Sequence, residues 1–486
     1  MLVKRTLGIS VVLFWCVMNF LLIKRQIAAP PPLLTLSGSE KITAHSEEWW
    51  GIFYRGEKIG YATQSITPVA KGFEPRDRSV LNLNLLGTVQ PASTRLEMVA
   101  NEDWILQRFN FELESKEIRF SARGAVSDNR LTLEIDSAGH KSTQEVKLTQ
   151  APYLLAALKP YVVTQQLETG KKFFFSTFDP STLAEQVTSV TIEGREHIRI
   201  GGRLEPAIKL RQNFRGISVL SWVDGQGRTL KEESAAGMSL LRQSATEAKS
   251  LPAQAIALDI VAETAIAVAQ PIAEPQSRPA LTLKLSGADL SRFALDGGRQ
   301  RWRRDHLTIR LESPPRPGTH KLPIRDARWA AYQQPTPFLQ SDHPSVKALA
   351  KKILQGETDA RRAAVKLKDW VFREIAKEPT VSIPNALQVL ASKKGDCNEH
   401  TVLFNALARA AGIPAKTVVG VVYLRGAFYY HAWSEIWLGE WISLDSVLNQ
   451  FPADVTHVKF LEGEIDRQID ILQLIGNLKI AVVEGS

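Results

Sequence analysis

Apolar and polar positions alternate with period two from Trp49 to about residue 249, and a helical period replaces this only after Pro344. The alternation opens with Trp50-Gly51-Ile52-Phe53-Tyr54 and Ile59-Gly60-Tyr61-Ala62-Thr63, two strands around the turn Arg55-Gly56-Glu57-Lys58. It continues through Ser79–Leu86, Thr94–Val99, Trp104–Leu113, Ile118–Ala122, Arg130–Ile135 and Ser142–Leu148. Short strands at this spacing, joined by polar or glycine turns, predict an antiparallel meander with one face on a core. Ala151–Leu158 interrupts the alternation as a short helix. Strands then resume at Lys172–Ser176, Val187–Ile192, Ala207–Gln212 and Gly216–Val223, with Asp224-Gly225-Gln226-Gly227 turning into Thr229–Glu233. One large, strongly curved antiparallel β domain over residues 49–249 is expected.

Residues 250–280, rich in Ala, Ile and Pro, predict an extended connector. Leu281–Leu285 and Leu307–Leu311 alternate again and define a small β unit over 281–323. Between them Arg299-Gln300-Arg301-Trp302-Arg303-Arg304 is the densest basic patch, expected as a solvated strand edge. In the final segment, 324–486, Val346, Leu349, Ala350 and Ile353 share one helical face. Ala363, Ala364, Leu367, Trp370, Val371 and Ile375 share another, and Asn385–Leu390 is a short helix. The fold class is α+β.

The first 27 residues follow neither period. Lys4 and Arg5 precede an apolar run from Leu7 to Ile23, and Lys24-Arg25 close it. Charge directly after the apolar core and prolines after Ala28-Ala29 make a poor cleavage site, so residues 1–27 are expected to be an uncleaved membrane anchor. Residues 28–48, opening on Pro30-Pro31-Pro32, predict a stalk. A short tail and a long body favour a cytoplasmic N-terminus with the body outside the cytoplasm, in contact with inner-membrane lipid only through the anchor.

Composition changes this picture little. With 486 residues, 44% of them hydrophobic, the chain can bury several cores and is neither disordered nor fibrous. Its net charge of +9 is spread along the chain, and no nucleic-acid motif accompanies it, so no nucleic-acid partner is expected. No cofactor or metal is expected either. Of 2 cysteines, Cys16 sits in the apolar N-terminal run, which leaves Cys397 without a disulfide partner.

That cysteine carries the candidate chemistry. Asp396 followed by Glu399 reads as a capping box, which places Cys397 at the first position of a helix whose apolar stripe runs through Leu403, Leu407 and Ala410 to a stop at Gly412. A helix N-terminus favours thiolate over thiol, Asp396 opposes it, and a cation from elsewhere is required. The β-rich runs Ala415–Tyr423, Tyr429–Trp437 and Trp441–Asp445 can bring His431 and Asp445 side by side on adjacent antiparallel strands. Cys397, His431 and Asp445 then supply nucleophile, base and orienting carboxylate. His400, one turn after Cys397, is a rival base on spacing alone and is expected as a solvated helix residue. His457 has no assignment. Tyr429, Tyr430, Trp433, Trp437 and Trp441 are expected to alternate between core and groove wall.

Gly395-Asp396-Cys397-Asn398-Glu399-His400-Thr401, the helix ending Arg409-Ala410-Ala411-Gly412-Ile413-Pro414, then His431-Ala432-Trp433-Ser434-Glu435 and Trp441-Ile442-Ser443-Leu444-Asp445, together resemble the transglutaminase-like superfamily of papain-type folds. The resemblance covers roughly residues 335–460 and implies a Cys-His-Asp triad at Cys397, His431 and Asp445. One departure is visible: where the family commonly has Asp-Pro-Thr, this chain has Asp445-Ser446-Val447. A changed loop with conserved chemistry is expected there. The resemblance implies an enzyme acting on amide or peptide carbonyls of a protein or peptide substrate through an acyl-thioester. A cysteine peptidase or amidase would use the same triad. A non-catalytic binding or scaffold protein would rely on the β domain, whose pattern resembles the half-barrel sheets of bacterial periplasmic lipid and lipoprotein carriers. A curved sheet packed on its own helices gives that pattern too.

Overall fold

The computed structural model of the protein describes residues 44–483, apart from 117, 138, 165–167 and 252–258. The expected anchor (1–27), most of the expected stalk (28–48) and part of the expected connector therefore lie outside the described residues. Among the described residues no helix is long and apolar enough to cross a membrane. The fold is mixed and strand-rich, with a large antiparallel sheet and a smaller helix-and-sheet unit that carries the C-terminal motifs.

The large sheet has 14 strands in one antiparallel path. From Ser46–Tyr54 a meander runs outward, strand by strand, to His140–Lys147 at one edge. A second meander starts at the other edge, Lys172–Asp179, and returns to Met238–Arg242, which pairs with the first strand through Trp50↔Arg242 and Tyr54↔Met238. Every pairing in the sheet thus joins successive strands except the one at this central seam. The alternation predicts this meander because each strand buries one face. Phe109, Phe111, Phe120 and Leu133 from the first meander share one core with Phe173, Phe175, Val190 and Leu210 from the second. The two arms therefore bend toward a common interior, which also receives Leu158 and Val162 from the helix Leu155–Thr164.

That helix starts later than its apolar residues predict. Residues 152–154 are held extended instead: the N–H of Leu106 donates to the Pro152 carbonyl, that of Tyr153 to Ser176 and that of Leu154 to Trp104. These tertiary hydrogen bonds occupy the backbone groups that a helical turn would have used. The expected stalk also loses its last residues to the sheet, whose first strand begins at Ser46. The expected connector is only partly extended. It contains a helical turn at Ile260–Glu263, and Ile266–Ala267 adds a short edge strand to the C-terminal sheet through Ile266↔Phe428.

The small β unit is completed by the far end of the chain. Gln300–Arg303, His306–Arg310 and Ala280–Ser286 pair in that order, and Lys479–Val482 adds a fourth strand beside Ala280–Ser286. In the C-terminal unit the helices Pro344–Leu354, Ala360–Glu374 and Ala386–Ser392 pack around Cys397–Ala410. This last helix is buried from Glu399 to Arg409, on every face and not only along its apolar stripe. It lies against strands Ala415–Leu424 and Ala427–Trp437, which are flanked by Val458–Glu462 and Trp441–Leu444. Phe338 and Ile383 of this unit enter the core of the large sheet, so the two parts share apolar packing.

Candidate active site

Cys397 is the first residue of its helix because Asp396 caps it. The Asp396 carboxylate accepts the N–H of Asn398 at 2.8 Å, and the Asp396 N–H donates back to Glu399 Oε2 at 2.9 Å. Gly395 makes room for this return: a Cβ there would lie 2.2 Å from the Cβ of Glu399. Ser382 donates to the other oxygen of Glu399. Burial, and then the neighbouring Glu399, raise the Asp396 carboxyl well above the usual carboxylate range. Thr401, one turn along, donates from Oγ1 to the Ala432 carbonyl at 3.1 Å, which ties this first turn to the strand carrying His431.

The opposition expected from Asp396 is present, and burial adds to it. Burial, followed by the charge of Asp396, pushes the Cys397 thiol well above its ordinary value, while the Ala432 backbone N–H pulls the other way. Proximity to a helix N-terminus does not outweigh desolvation in a site whose nearest charges are carboxyl groups.

Ser434↔Leu444, Glu435↔Ser443 and Trp437↔Trp441 set the register of the strand pair. Continued by one step, this register puts Asp445 opposite Trp433, two residues along the same face from His431. The contact is thus diagonal rather than directly side by side: Nε2 of His431 lies 2.7 Å from Oδ2 of Asp445, with both residues buried. Nε2–H donation leaves Nδ1 as the nitrogen with a free lone pair. Oδ1 of Asp445 accepts the N–H groups of Val447 at 2.7 Å and Leu448 at 2.8 Å. The Asp445-Ser446-Val447 turn thereby orients the carboxylate through backbone donors. Behind His431, Gly420 pairs with it across the sheet, and a Cβ there would lie 1.8 Å from the Val458 carbonyl oxygen.

His457, without assignment from the sequence, belongs to the site. Its Nε2 lies 3.0 Å from the same Oδ2 of Asp445, and its Nδ1 lies 3.2 Å from Oδ1 of Asp454. Burial alone would lower His457, but its two carboxylate partners outweigh burial and raise it above the ordinary imidazole value. Burial would raise Asp445 and Asp454, yet the histidines hold both well below the usual carboxylate range. A doubly protonated His457 between two carboxylates satisfies every hydrogen bond of this buried chain. Trp433 packs edge-on against His457, with ring centroids 5.2 Å apart, and nearly parallel to His431.

His400 is not a solvated residue. It is fully buried, with Nδ1 at 2.7 Å from the Asp396 carbonyl and Nε2 at 3.3 Å from that of Ile375, and burial lowers its pKa. It ties the Cys397 turn to the end of the preceding long helix. Arg299, expected on a solvated edge, also turns inward. Its guanidinium pairs with Glu312 at 3.0 Å and donates to the Ala453 carbonyl at 2.6 Å and that of His457 at 3.1 Å. Glu312 in turn accepts the N–H of Ser443 at 3.0 Å, so the small β unit buttresses the strand and loop that present Asp445 and His457.

Cys397, His431 and Ala432 line one cavity of about 420 Å³. Its other walls include Ile383, Val419, Tyr430 and Ile471, and also Ser181 and Thr182 from the large sheet. Of the expected aromatic group, Tyr430 reaches this cavity, whereas Trp437 and Trp441 cluster with Trp329 and Tyr332. Among the described residues, His431, Asp445 and His457 are the group whose ligand atoms converge closely enough for a metal, within 4.8 Å of one another. A cation there would displace both imidazole–carboxylate hydrogen bonds.

Residues 347–446 match the transglutaminase-like superfamily, a span that contains Cys397, His431 and Asp445. An uncharacterized protein of Haemophilus influenzae is 28% identical over 130 residues, covering 24% of this chain and 34% of that protein. The chain therefore matches about a third of that relative's length. A crystal structure titled "Putative Cysteine Protease" from Cytophaga hutchinsonii aligns with a TM-score of 0.28 at 17% identity, over 41% of this chain and 83% of that one. A beta-barrel-like protein of a domain of unknown function from Brucella abortus aligns with a TM-score of 0.33 at 11% identity, over 41% of this chain and 95% of that one.

Proposed function

We propose that this protein is a thiol enzyme that cleaves or transfers amide or peptide acyl groups through an acyl-thioester on Cys397. The observation that carries the reading is the buried 2.7 Å contact between His431 and Asp445, on strands packed against the helix that begins at Cys397, inside the segment matched to the transglutaminase-like superfamily. Because burial favours the neutral thiol, the proton leaves as the sulfur attacks: it passes from Sγ to Nδ1 of His431 while Sγ bonds to the carbonyl carbon. Asp445 holds the tautomer that keeps Nδ1 available and stabilises the imidazolium that forms. The Cys397 N–H is the helix-start donor left for the developing oxyanion, because the Asp396 cap takes those that follow it. The imidazolium then protonates the departing amine, leaving the acyl-thioester. Water or a second amine, deprotonated by His431, releases the acyl group and restores the thiol.

The same proposal places the catalytic body outside the cytoplasm, tethered by residues 1–27; the supporting observation is the apolar run Leu7–Ile23 between Lys4-Arg5 and Lys24-Arg25. A reporter fused to the C-terminus tests it, and activity of a cytoplasm-only reporter would reject it. The chemistry is tested with an iodoacetamide probe and mass spectrometry of the trapped acyl-enzyme. Label and acyl adduct should both map to Cys397 and vanish in Cys397→Ala; their persistence in the variant sinks the reading.

A further inference from the structure

The cavity over Cys397 is built by two parts of the chain that lie far apart in sequence. One wall is the turn between the strands Lys172–Asp179 and Ala184–Ile200 of the large sheet. Asp179 holds this turn rigidly: it accepts the Ser181 N–H at 2.9 Å, the Ser181 hydroxyl at 2.7 Å and the Thr182 hydroxyl at 3.0 Å. Both hydroxyl hydrogens are thus occupied, and the turn offers the cavity methyl and methylene surface with acceptor lone pairs only. Leu183, at φ +54, pins the turn by inserting into the core of the large sheet.

Another part of the lining is the segment Ile469–Gln473, which presents Ile469 and Ile471. The large sheet anchors this wall as well. Arg215, in the turn between two of its strands, pairs with Asp470 through Nε at 2.8 Å and Nη2 at 3.2 Å, and its carbonyl accepts Gln473 Nε2 at 2.9 Å. Ile383 and Val419 complete the apolar lining. Among the described residues that line the cavity there is no Lys, Arg, Asp or Glu. The Tyr430 hydroxyl is buried and has no partner within the protein, so it is free to bond an uncharged polar group of an occupant. A charged group seated against this lining would lose its hydration with no counter-charge among the side chains that touch it, since Asp396 and Asp445 stand behind Cys397 and His431 and not in the lining.

We infer that the fourteen-stranded sheet is the specificity-determining part of the site. Its Asp179–Leu183 turn and the Ile469–Gln473 segment it anchors form a subsite at Cys397 for an apolar, uncharged side chain of a peptide or amide substrate, and exclude a side chain bearing charge. This rests on Cys397 being the reacting thiol, and it assigns the large sheet a place in the enzyme rather than a separate binding role. A lysine side chain, cationic at neutral pH, is a poor occupant of such a subsite.

Second-order alkylation rates of Cys397 in the full-length protein test this with three probes: iodoacetamide, N-pentyl-iodoacetamide and N-(aminobutyl)iodoacetamide, the last a cationic counterpart of the second. The pentyl probe should react about tenfold faster than the aminobutyl probe or more. Thr182→Glu and Ile469→Glu should each reverse that order by placing a carboxylate in the subsite; dividing each long-probe rate by the same variant's iodoacetamide rate cancels any change in the reactivity of the thiol itself. Equal rates for the two long probes in the native protein, or an unchanged ratio in both variants, would overturn the inference. Failure of the thiol-enzyme reading looks different: iodoacetamide would then react equally with the native and His431→Ala proteins, while the pentyl-to-aminobutyl ratio would still report the subsite.

Discussion

Nε2 of His457 lies 3.0 Å from Oδ2 of Asp445, the same oxygen that receives His431 at 2.7 Å. One buried carboxylate therefore serves two imidazoles, and with Asp454 at 3.2 Å behind His457 the chain reads His431, Asp445, His457, Asp454. His457, raised above the ordinary imidazole value by Asp445 and Asp454, draws on the same carboxylate charge, which tempers how strongly Asp445 can stabilise a positive charge on His431.

Replacing Asp445 with Asn should reverse the hydrogen bond to His431. The amide NH₂ donates to Nε2, the ring proton moves to Nδ1, and the lone pair needed to take the thiol proton disappears. Turnover and Cys397 alkylation should fall by roughly 10²–10⁴-fold. Unfolding midpoints measured alongside separate this from collapse of the site, and an alkylation rate within about threefold of the native one contradicts the tautomer argument.

His457 makes stability pH-dependent with a definite sign. Its folded pKa is raised above 6.5, so its contribution is fully present below about 6.5 and is lost as pH rises through the folded value. Asp454, held below its ordinary 3.8, contributes above about 3.8 and loses that contribution as pH falls further. His457→Gln should flatten both the alkaline decline and the acid decline of the thermal midpoint, because it removes the raised imidazole and lets Asp454 return toward its ordinary value. Calorimetry across the range checks this; curves parallel to the native protein's would count against a charged His457.

Arg299 pairs with Glu312 and supports the carbonyls of Ala453 and His457 from a side chain that is only 6% exposed. Arg299→Met should cost about 3–5 kcal/mol in denaturant unfolding, because Glu312 is left buried and unpaired. Adding Glu312→Gln should recover part of that loss. A single-variant effect below about 1 kcal/mol would place Arg299 outside the site's support.

Gly395→Ala brings a Cβ to 2.2 Å from that of Glu399 and breaks the capping box, at a cost of about 1 kcal/mol or more. Glu399→Gln acts in the opposite direction. Asp396 is raised above 3.8, so folding takes up a proton that the unfolded chain releases, and stability declines as pH rises through the raised value. Removing the like charge of Glu399 should weaken that decline. Denaturant midpoints at about pH 5 and about pH 8 measure it, and an equal slope in the variant argues against Glu399 as a cause of the raised Asp396 value.

Much of this was legible in the residues themselves. Alternation predicts the meander from Trp50 to Glu233 because a sheet with one buried face imposes period two whatever its partners are. Asp396, Cys397 and Glu399 specify a helix start because capping is settled within a few residues of chain. The order of Cys397, His431 and Asp445 identifies the candidate triad. What lies outside local chain chemistry was not legible. Nothing near His457 marks it as a partner of Asp445, and Arg299 sits in a basic run that would serve equally well in solvent. Whether the cysteine rests as thiol or thiolate follows from burial and from carboxyl groups gathered around it, which outweigh the helix terminus that the local sequence announces. Ser181 and Thr182 reach a cysteine more than two hundred positions away only because Phe338 and Ile383 anchor the two units in one core. Helix caps and strand faces are short-range properties, and the sequence by itself determined them. Charge state, support and the walls of the cavity depend on which distant surfaces exclude water together, and only the tertiary structure decided those.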